Sequence, residues 1–158
     1  MQALQRASQA INTIAEKVLM VIGAAICLIL FAQVASRYAG ASLGWSEEVS
    51  RHLLVAITFI GGTVAYKRVS FIGLQGFGNS LGPACQRGIV VALQLLTLAC
   101  FALIAWFGAT YTLKAAEHTS SSLQIPMSIP FSVIPVAAVI FVVHVLADMA
   151  RTLERKTP

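Results

Sequence analysis

Gly44-Trp45-Ser46-Glu47-Glu48-Val49-Ser50-Arg51-His52 is the densest cluster of charge in a chain of which only 11% of residues are charged. It lies between two long apolar runs and reads as the start of a helix. Ser46 suits an N-cap, and Glu47 and Glu48 fall in the first turn, where the helix dipole favours negative charge. Glu47 and Arg51 are four apart, as are Glu48 and His52, so each pair shares a helical face with the acid N-terminal. Trp45 stands just ahead, where an amphipathic aromatic marks a membrane–water boundary. The apolar residues that follow, Leu53 to Tyr66, are too few to cross a bilayer. Begun at Glu47, the helix has 20 residues and covers about 30 Å. The charged turn is therefore part of a membrane span. It serves either as a decorated cap at the headgroup level or as a polar docking site for another protein.

The other apolar runs follow the same arithmetic. Val18 to Ala35 spans, closed by Arg37 and Tyr38. Read instead as a signal peptide, with Ala39-Gly40-Ala41 as the cleavage site, it is too long for an h-region. Gly88 to Leu113 exceeds the hydrocarbon thickness, so it tilts or projects. Phe131 to Ala147 is the last run, with Ser132 as N-cap and Pro135 in the first turn, where a missing N–H is tolerated. The expected fold is all-α: an integral membrane domain over 1–158 with four spans near 18–38, 47–66, 88–113 and 131–150. Hydrophobic residues make up 58% of the chain and mean hydropathy is +0.81, which leaves no room for a separate soluble domain.

Between the spans lie three weaker segments. Residues 1–17 read as an amphipathic lead-in at the membrane surface, from Leu4, Ile11, Ile14 and Val18. Lys67 to Arg87 reads as a glycine-rich loop resting in the interface, with Cys85 in it. Lys114 to Pro130 reads as a polar loop in which Pro126 and Pro130 favour an extended path. Asp148, Arg151, Glu154, Arg155 and Lys156 are expected to end the last span in water.

The net charge of +5 is spread over the ends of the runs rather than gathered in a stripe, so it does not signal nucleic acid. It reads as topology. Arg6, Lys17, Lys67, Arg68, Arg87, Arg151, Arg155 and Lys156 lie on one side; Arg37, Arg51 and Lys114 lie on the other. That bias puts both termini in the cytoplasm. The Trp-Ser-Glu-Glu stretch and the Ile125-Pro126-Met127 loop then share the outer face, where they can meet.

Several chemistries are disfavoured. A proton-coupled transporter needs an ionisable group inside the membrane, and no run carries Asp, Glu, Lys or Arg near its middle. Gln33, Gln94 and Thr97 read as interhelical hydrogen-bond partners. His52 and His144 lie near opposite ends of their spans, so they do not ligate one haem iron. Cys27, Cys85 and Cys100 have neither metal spacing nor a disulfide framework. Ser46 and His52 share no helical face, and no nucleophile–base pair stands elsewhere. No catalytic, cofactor, metal or substrate residue is indicated.

Arg37-Tyr38, Trp45-Ser46-Glu47-Glu48, Arg51, Leu53-Leu54-Val55, Phe59-Ile60-Gly61 and Lys67-Arg68 together resemble the small, DctQ-like membrane subunit of the tripartite ATP-independent periplasmic (TRAP) transporters. Ile125-Pro126-Met127-Ser128-Ile129-Pro130 and Pro135 resemble that family's later outer-loop motif. Two departures stand out. Ser128 occupies a place where the family often has an aromatic. Phe71-Ile72-Gly73 replaces a His-Ile pair followed by an acid. The resemblance implies a bacterial inner-membrane protein that transports nothing alone. A large multi-span subunit would carry the substrate and sodium sites and move in an elevator-like way, and a periplasmic binding protein would deliver an organic acid. This chain, taken as separate because it ends at Pro158, would scaffold the large subunit among the lipids, driven by an ion gradient without ATP. Trp45, Ser46, Glu47, Glu48, Arg51, Arg37, Pro126, Met127 and Pro130 are the expected partner interface. The alternatives are a standalone small oligomeric transporter and a membrane anchor for an unrelated complex.

Overall fold

The structure, a computed structural model, describes residues 2–41, 43–76 and 83–154. Its helices are α1 (Gln2–Tyr38), α2 (Gly44–Gly76), α3 (Pro83–Ala115), the single turn α4 (Ser128–Phe131) and α5 (Val133–Glu154). The stretches long and apolar enough to cross a membrane are Gln5–Tyr38, Gly44–Arg68, Gly88–Ala115 and Ser128–Thr152. Each contains one of the apolar runs.

The helices outrun the hydropathy in both directions. The lead-in is not a separate surface segment, because α1 runs unbroken for 37 residues and buries Ser8 and Ala15 against the bundle. The glycine-rich loop is likewise shorter than expected. α2 continues through Gly73 to Gly76, and Cys85 lies in α3; the remainder of that loop, 77–82, lies outside the described residues. Glycine weakens an isolated helix by only about 1 kcal/mol per position, which does not stop a helix already 25 residues long from propagating.

α1 ends on Gly40, whose φ of 82° is left-handed. The Gly40 N–H donates to the Arg37 carbonyl and the Ala41 N–H to that of Ser36, the paired bonds of a Schellman cap. Ala39-Gly40-Ala41 thus forms a helix stop.

The helices stand in the order α1, α2, α5, α3. α2 and α5 occupy the middle; α1 packs mainly on α2, and α3 mainly on α5. Small residues of α2 make this possible. A side chain on Gly61 would meet Leu19 of α1, and one on Gly62 would meet the Phe141 ring at 3.4 Å. Phe141 stacks flat on Phe101 of α3 with centroids 3.7 Å apart, and Tyr66 of α2 tilts against it at 5.4 Å. One aromatic of α5 therefore joins three helices. Ala137, Ala138, Val145 and Ala147 are buried around it, while α1 and α3 turn Val21, Leu28, Phe31, Leu96, Leu103 and Phe107 outward. Such a surface is at home in hydrocarbon.

Candidate functional site

Among the described residues, polar side chains gather at two places, one at each end of the bundle. The first is a clasp between α2 and the loop 116–127. That loop is a small hairpin. The Ser120 N–H donates to the Ile125 carbonyl at 2.9 Å and the Met127 N–H to that of His118 at 2.9 Å, with Thr119 bridged to Pro126. Gln124 takes the left-handed conformation that closes the turn, with φ 54°. Glu48 grips this turn with both carboxylate oxygens. Oε1 accepts from the Ser120 hydroxyl, which is 1% exposed, and Oε2 accepts from the Ser122 N–H at 3.0 Å. An ionised acceptor makes each bond stronger than a neutral pair would. His52 Nε2 lies 3.9 Å from Glu48 Oε1, and its ring meets Phe131 edge-on, which in turn meets Tyr111. The carboxylate thereby ties α2 to the hairpin, and the His52, Phe131 and Tyr111 rings beside it link α2 to α4 and the end of α3.

The sequence expectations divide here. Glu48 and His52 do share a face, and the Trp-Ser-Glu-Glu stretch does meet the loop that carries Pro126 and Met127. Glu47 and Arg51 are both exposed, and no ion pair joins them among the described residues. Ser46 is not the N-cap: α2 already begins at Gly44, and the buried Ser46 hydroxyl donates back to the Leu43 carbonyl at 2.7 Å. Trp45 stays 43% exposed, and Arg37 projects from the last turn of α1. The prolines do not enforce an extended path throughout. Pro126 sits at the bridge, but Pro130 lies within the helical turn α4, because a first turn needs no N–H from it. Ser132 donates to the Ile129 carbonyl at 2.7 Å, joining α4 to α5 instead of capping α5.

At the opposite end lies a buried lock that the sequence reading did not foresee. Lys67 of α2 donates to the Ser8 hydroxyl of α1 at 2.7 Å. Ser8 Oγ lies 2.8 Å from His144 Nδ1 of α5. Lys67 also pairs with Asp148 of α5 at 3.8 Å. Ser8 and His144 are fully buried, Asp148 is 4% exposed and Lys67 6%. Asp148 therefore does not end its helix in water; it neutralises Lys67 within the packing. One turn further, Gln94 of α3 donates to the Thr152 hydroxyl at 3.2 Å, the interhelical role expected of Gln94. Thr97 instead bonds the Leu93 carbonyl of its own helix. On the rim, Arg68 meets Glu16 at 3.2 Å. The signal available in the sequence was the spacing of His144 and Asp148, which four residues place on one face of α5.

Among the described residues, no group of three or more His, Cys, Asp or Glu is placed to hold a metal ion. The polar groups join helix to helix at one end and helix to loop at the other. An all-helical bundle of this kind is a multi-pass membrane protein whose side chains are organised around contacts.

The family model for the DctQ component of the tripartite ATP-independent periplasmic transporters matches residues 26–155. The chain belongs to this family of transporter components. It is 31% identical over 145 residues to the isethionate TRAP transporter permease protein DctMQ of Oleidesulfovibrio alaskensis, covering 85% of this chain and 23% of that protein. It is 28% identical over 134 residues to the sialic acid TRAP transporter small permease protein SiaQ of Vibrio cholerae, covering 84% of this chain and 77% of that protein. The chain thus spans under a quarter of the first relative's length and most of the second's.

Proposed function

We propose that this chain is the small permease subunit of a tripartite transporter in the bacterial inner membrane, and that it carries out no chemistry of its own. It packs beside a large multi-span subunit as a scaffold, and its clasped hairpin faces the periplasm, where a substrate-binding protein docks. Both termini and the Ser8–His144 lock lie on the cytoplasmic side, as the distribution of Lys and Arg favours. The cargo is an organic acid, and an ion gradient carried through the large subunit drives uptake. The single domain 1–158 serves this role with its four spans.

The observation that carries this reading is the match to DctMQ. There, a segment like this chain is under a quarter of one longer permease polypeptide. Two parts joined covalently in one protein are expected to pack together when they are made as two chains. The exposed apolar flanks of α1 and α3 supply surface for such packing, and Glu47, Arg51 and Trp45 remain exposed beside the clasp for a partner.

The test is co-expression with the large subunit, followed by purification through a tag on this chain and reconstitution into liposomes. The expected result is a stable complex that takes up the organic acid only with the binding protein and an imposed ion gradient. A stable lone monomer that yields no complex overturns the reading. Uptake by liposomes holding this chain alone makes it a standalone transporter. Within the complex, Glu48→Gln and Arg51→Ala should each lower uptake while the binding protein's affinity for substrate stays unchanged. Normal uptake by both variants removes the docking role.

A further inference from the structure

The hairpin turn between Ser120 and Gln124 is held from within. Glu48 Oε2 accepts from the Ser122 N–H at 3.0 Å. The Leu123 N–H donates to Ser120 Oγ at 3.3 Å, and the Gln124 N–H donates to the Ser120 carbonyl at 3.2 Å. Ser120 gives its one hydroxyl proton to Glu48 Oε1. Two residues, Glu48 and Ser120, thus satisfy three successive backbone N–H groups. Gln124 is kept in the left-handed region, φ 54°, which residues other than glycine adopt rarely.

The tip of this turn looks outward and its supports do not. Ser121, Ser122 and Gln124 are exposed. The Gln124 amide donates to the Ser121 carbonyl at 3.2 Å, so these two residues stand together. The Ser121 hydroxyl and Gln124 Oε1 take no part in the bonds that close the turn. Behind them, Ser120 is 1% exposed and the Glu48 side chain 15%, with both carboxylate oxygens turned to the hairpin. Glu48 is therefore badly placed to touch a partner and well placed to shape what a partner touches. A loop that must be ordered on binding subtracts that cost from affinity, and a loop already ordered does not. Backbone strain held in place by its surroundings collects at such clamps.

We infer that Ser121 and Gln124 are the contacts this hairpin offers to a docking protein, and that Glu48 and Ser120 are positioning residues that hold the tip ready. This rests on the reading of the outer face as the dock of a substrate-binding protein. It moves the contact from the charged start of α2 to a neutral turn outside the expected interface. A hydroxyl and an amide fit a polar, uncharged patch on that protein.

The complex of this chain with the large subunit, in nanodiscs, is titrated with the purified substrate-binding protein. Absence of binding by the parent complex overturns the docking reading and this inference with it. Given binding, Ser121→Ala combined with Gln124→Ala is expected to weaken it about tenfold, and Glu48→Gln is expected to weaken it comparably by loosening the turn. Unchanged binding by the first variant overturns the tip as the contact, and unchanged binding by the second overturns the positioning role; either leaves the docking reading standing. A disulfide then separates position from contact. Thr119 and Pro126 are the bridged pair whose neighbours make the cross-strand hydrogen bonds, so their Cα atoms stand about 4.5 Å apart, within reach of a disulfide. With Cys27, Cys85 and Cys100 replaced by Ser, Thr119→Cys and Pro126→Cys pin the hairpin when oxidised. Comparing the oxidised and reduced forms of one polypeptide cancels any contact made by positions 119 and 126 themselves. With Glu48 in place the two forms are expected to bind alike. With Glu48→Gln, oxidation is expected to restore the lost affinity and reduction to remove it. A loss that oxidation does not restore makes Glu48 a contact and overturns its positioning role.

Discussion

At one end of the bundle, charge is exchanged between packed helices; at the other, between a helix and a loop. Lys67 and Asp148 are sunk in the packing and satisfy each other across α2 and α5. Glu48 sits at the surface and satisfies a hydroxyl and a backbone N–H of the hairpin. The difference lies in what each carboxylate replaces. Asp148 replaces water around a buried ammonium, so losing it leaves a charge stranded. Glu48 replaces water around loop groups that can be rehydrated once the hairpin lifts. The first arrangement sets how the helices stand, and the second sets the shape of the surface beside them. Within one small protein, similar chemistry serves rigidity at one end and presentation at the other.

The contrast predicts a graded series of effects. The largest belongs to Asp148→Leu, which strands Lys67 and should cost roughly 3–5 kcal/mol, seen as a lowered melting temperature in detergent. Adding Lys67→Met should recover most of that loss; without recovery, the pair is not the source of the cost. Ser8→Ala comes next, at about 1–3 kcal/mol, because it removes the hydroxyl that Lys67 and His144 share and leaves the buried His144 Nδ1 without its hydrogen bond. Gln94→Leu removes a single interhelical bond to Thr152, worth about 0.6 kcal/mol in a membrane interior. Glu48→Gln should move the melting temperature least. It keeps the shape but weakens the grip on Ser120 and Ser122, so amide exchange in the hairpin should accelerate several-fold while the helices exchange unchanged. If Glu48→Gln destabilises the chain as much as Asp148→Leu, the two ends are not different in kind.

How much of this was legible beforehand follows the same division. The four apolar runs announce helices, since a span leaves its backbone no other way to satisfy itself in lipid. Glu48 was conspicuous as a charge at a helix start, and the loop it meets could be placed on its side of the membrane by counting Lys and Arg. The lock was not legible. Ser8 and His144 are 136 residues apart and Ser8 and Lys67 are 59 apart, and nothing in a single sequence pairs them. Asp148 was sent to water and Lys67 to an interfacial loop because each closes an apolar run, where a charge is ordinarily solvated. The extent of α2 was missed for a related reason. Gly73 and Gly76 lower local propensity, but a long preformed helix overrides so small a penalty.

The central place of α5 has a consequence for how the protein is made. α5 packs on α1, α2, α3 and α4, yet it is made after all of them. α1 and α2 can pair as soon as both are in the bilayer. α3 then waits beside them with its main neighbour still unsynthesised, and Phe101 has nothing to stack on until Phe141 arrives. Arrival of α5 and closure of the bundle are therefore one event. A nascent chain that has not reached α5 lacks Asp148, so Lys67 has yet to meet the carboxylate that neutralises it.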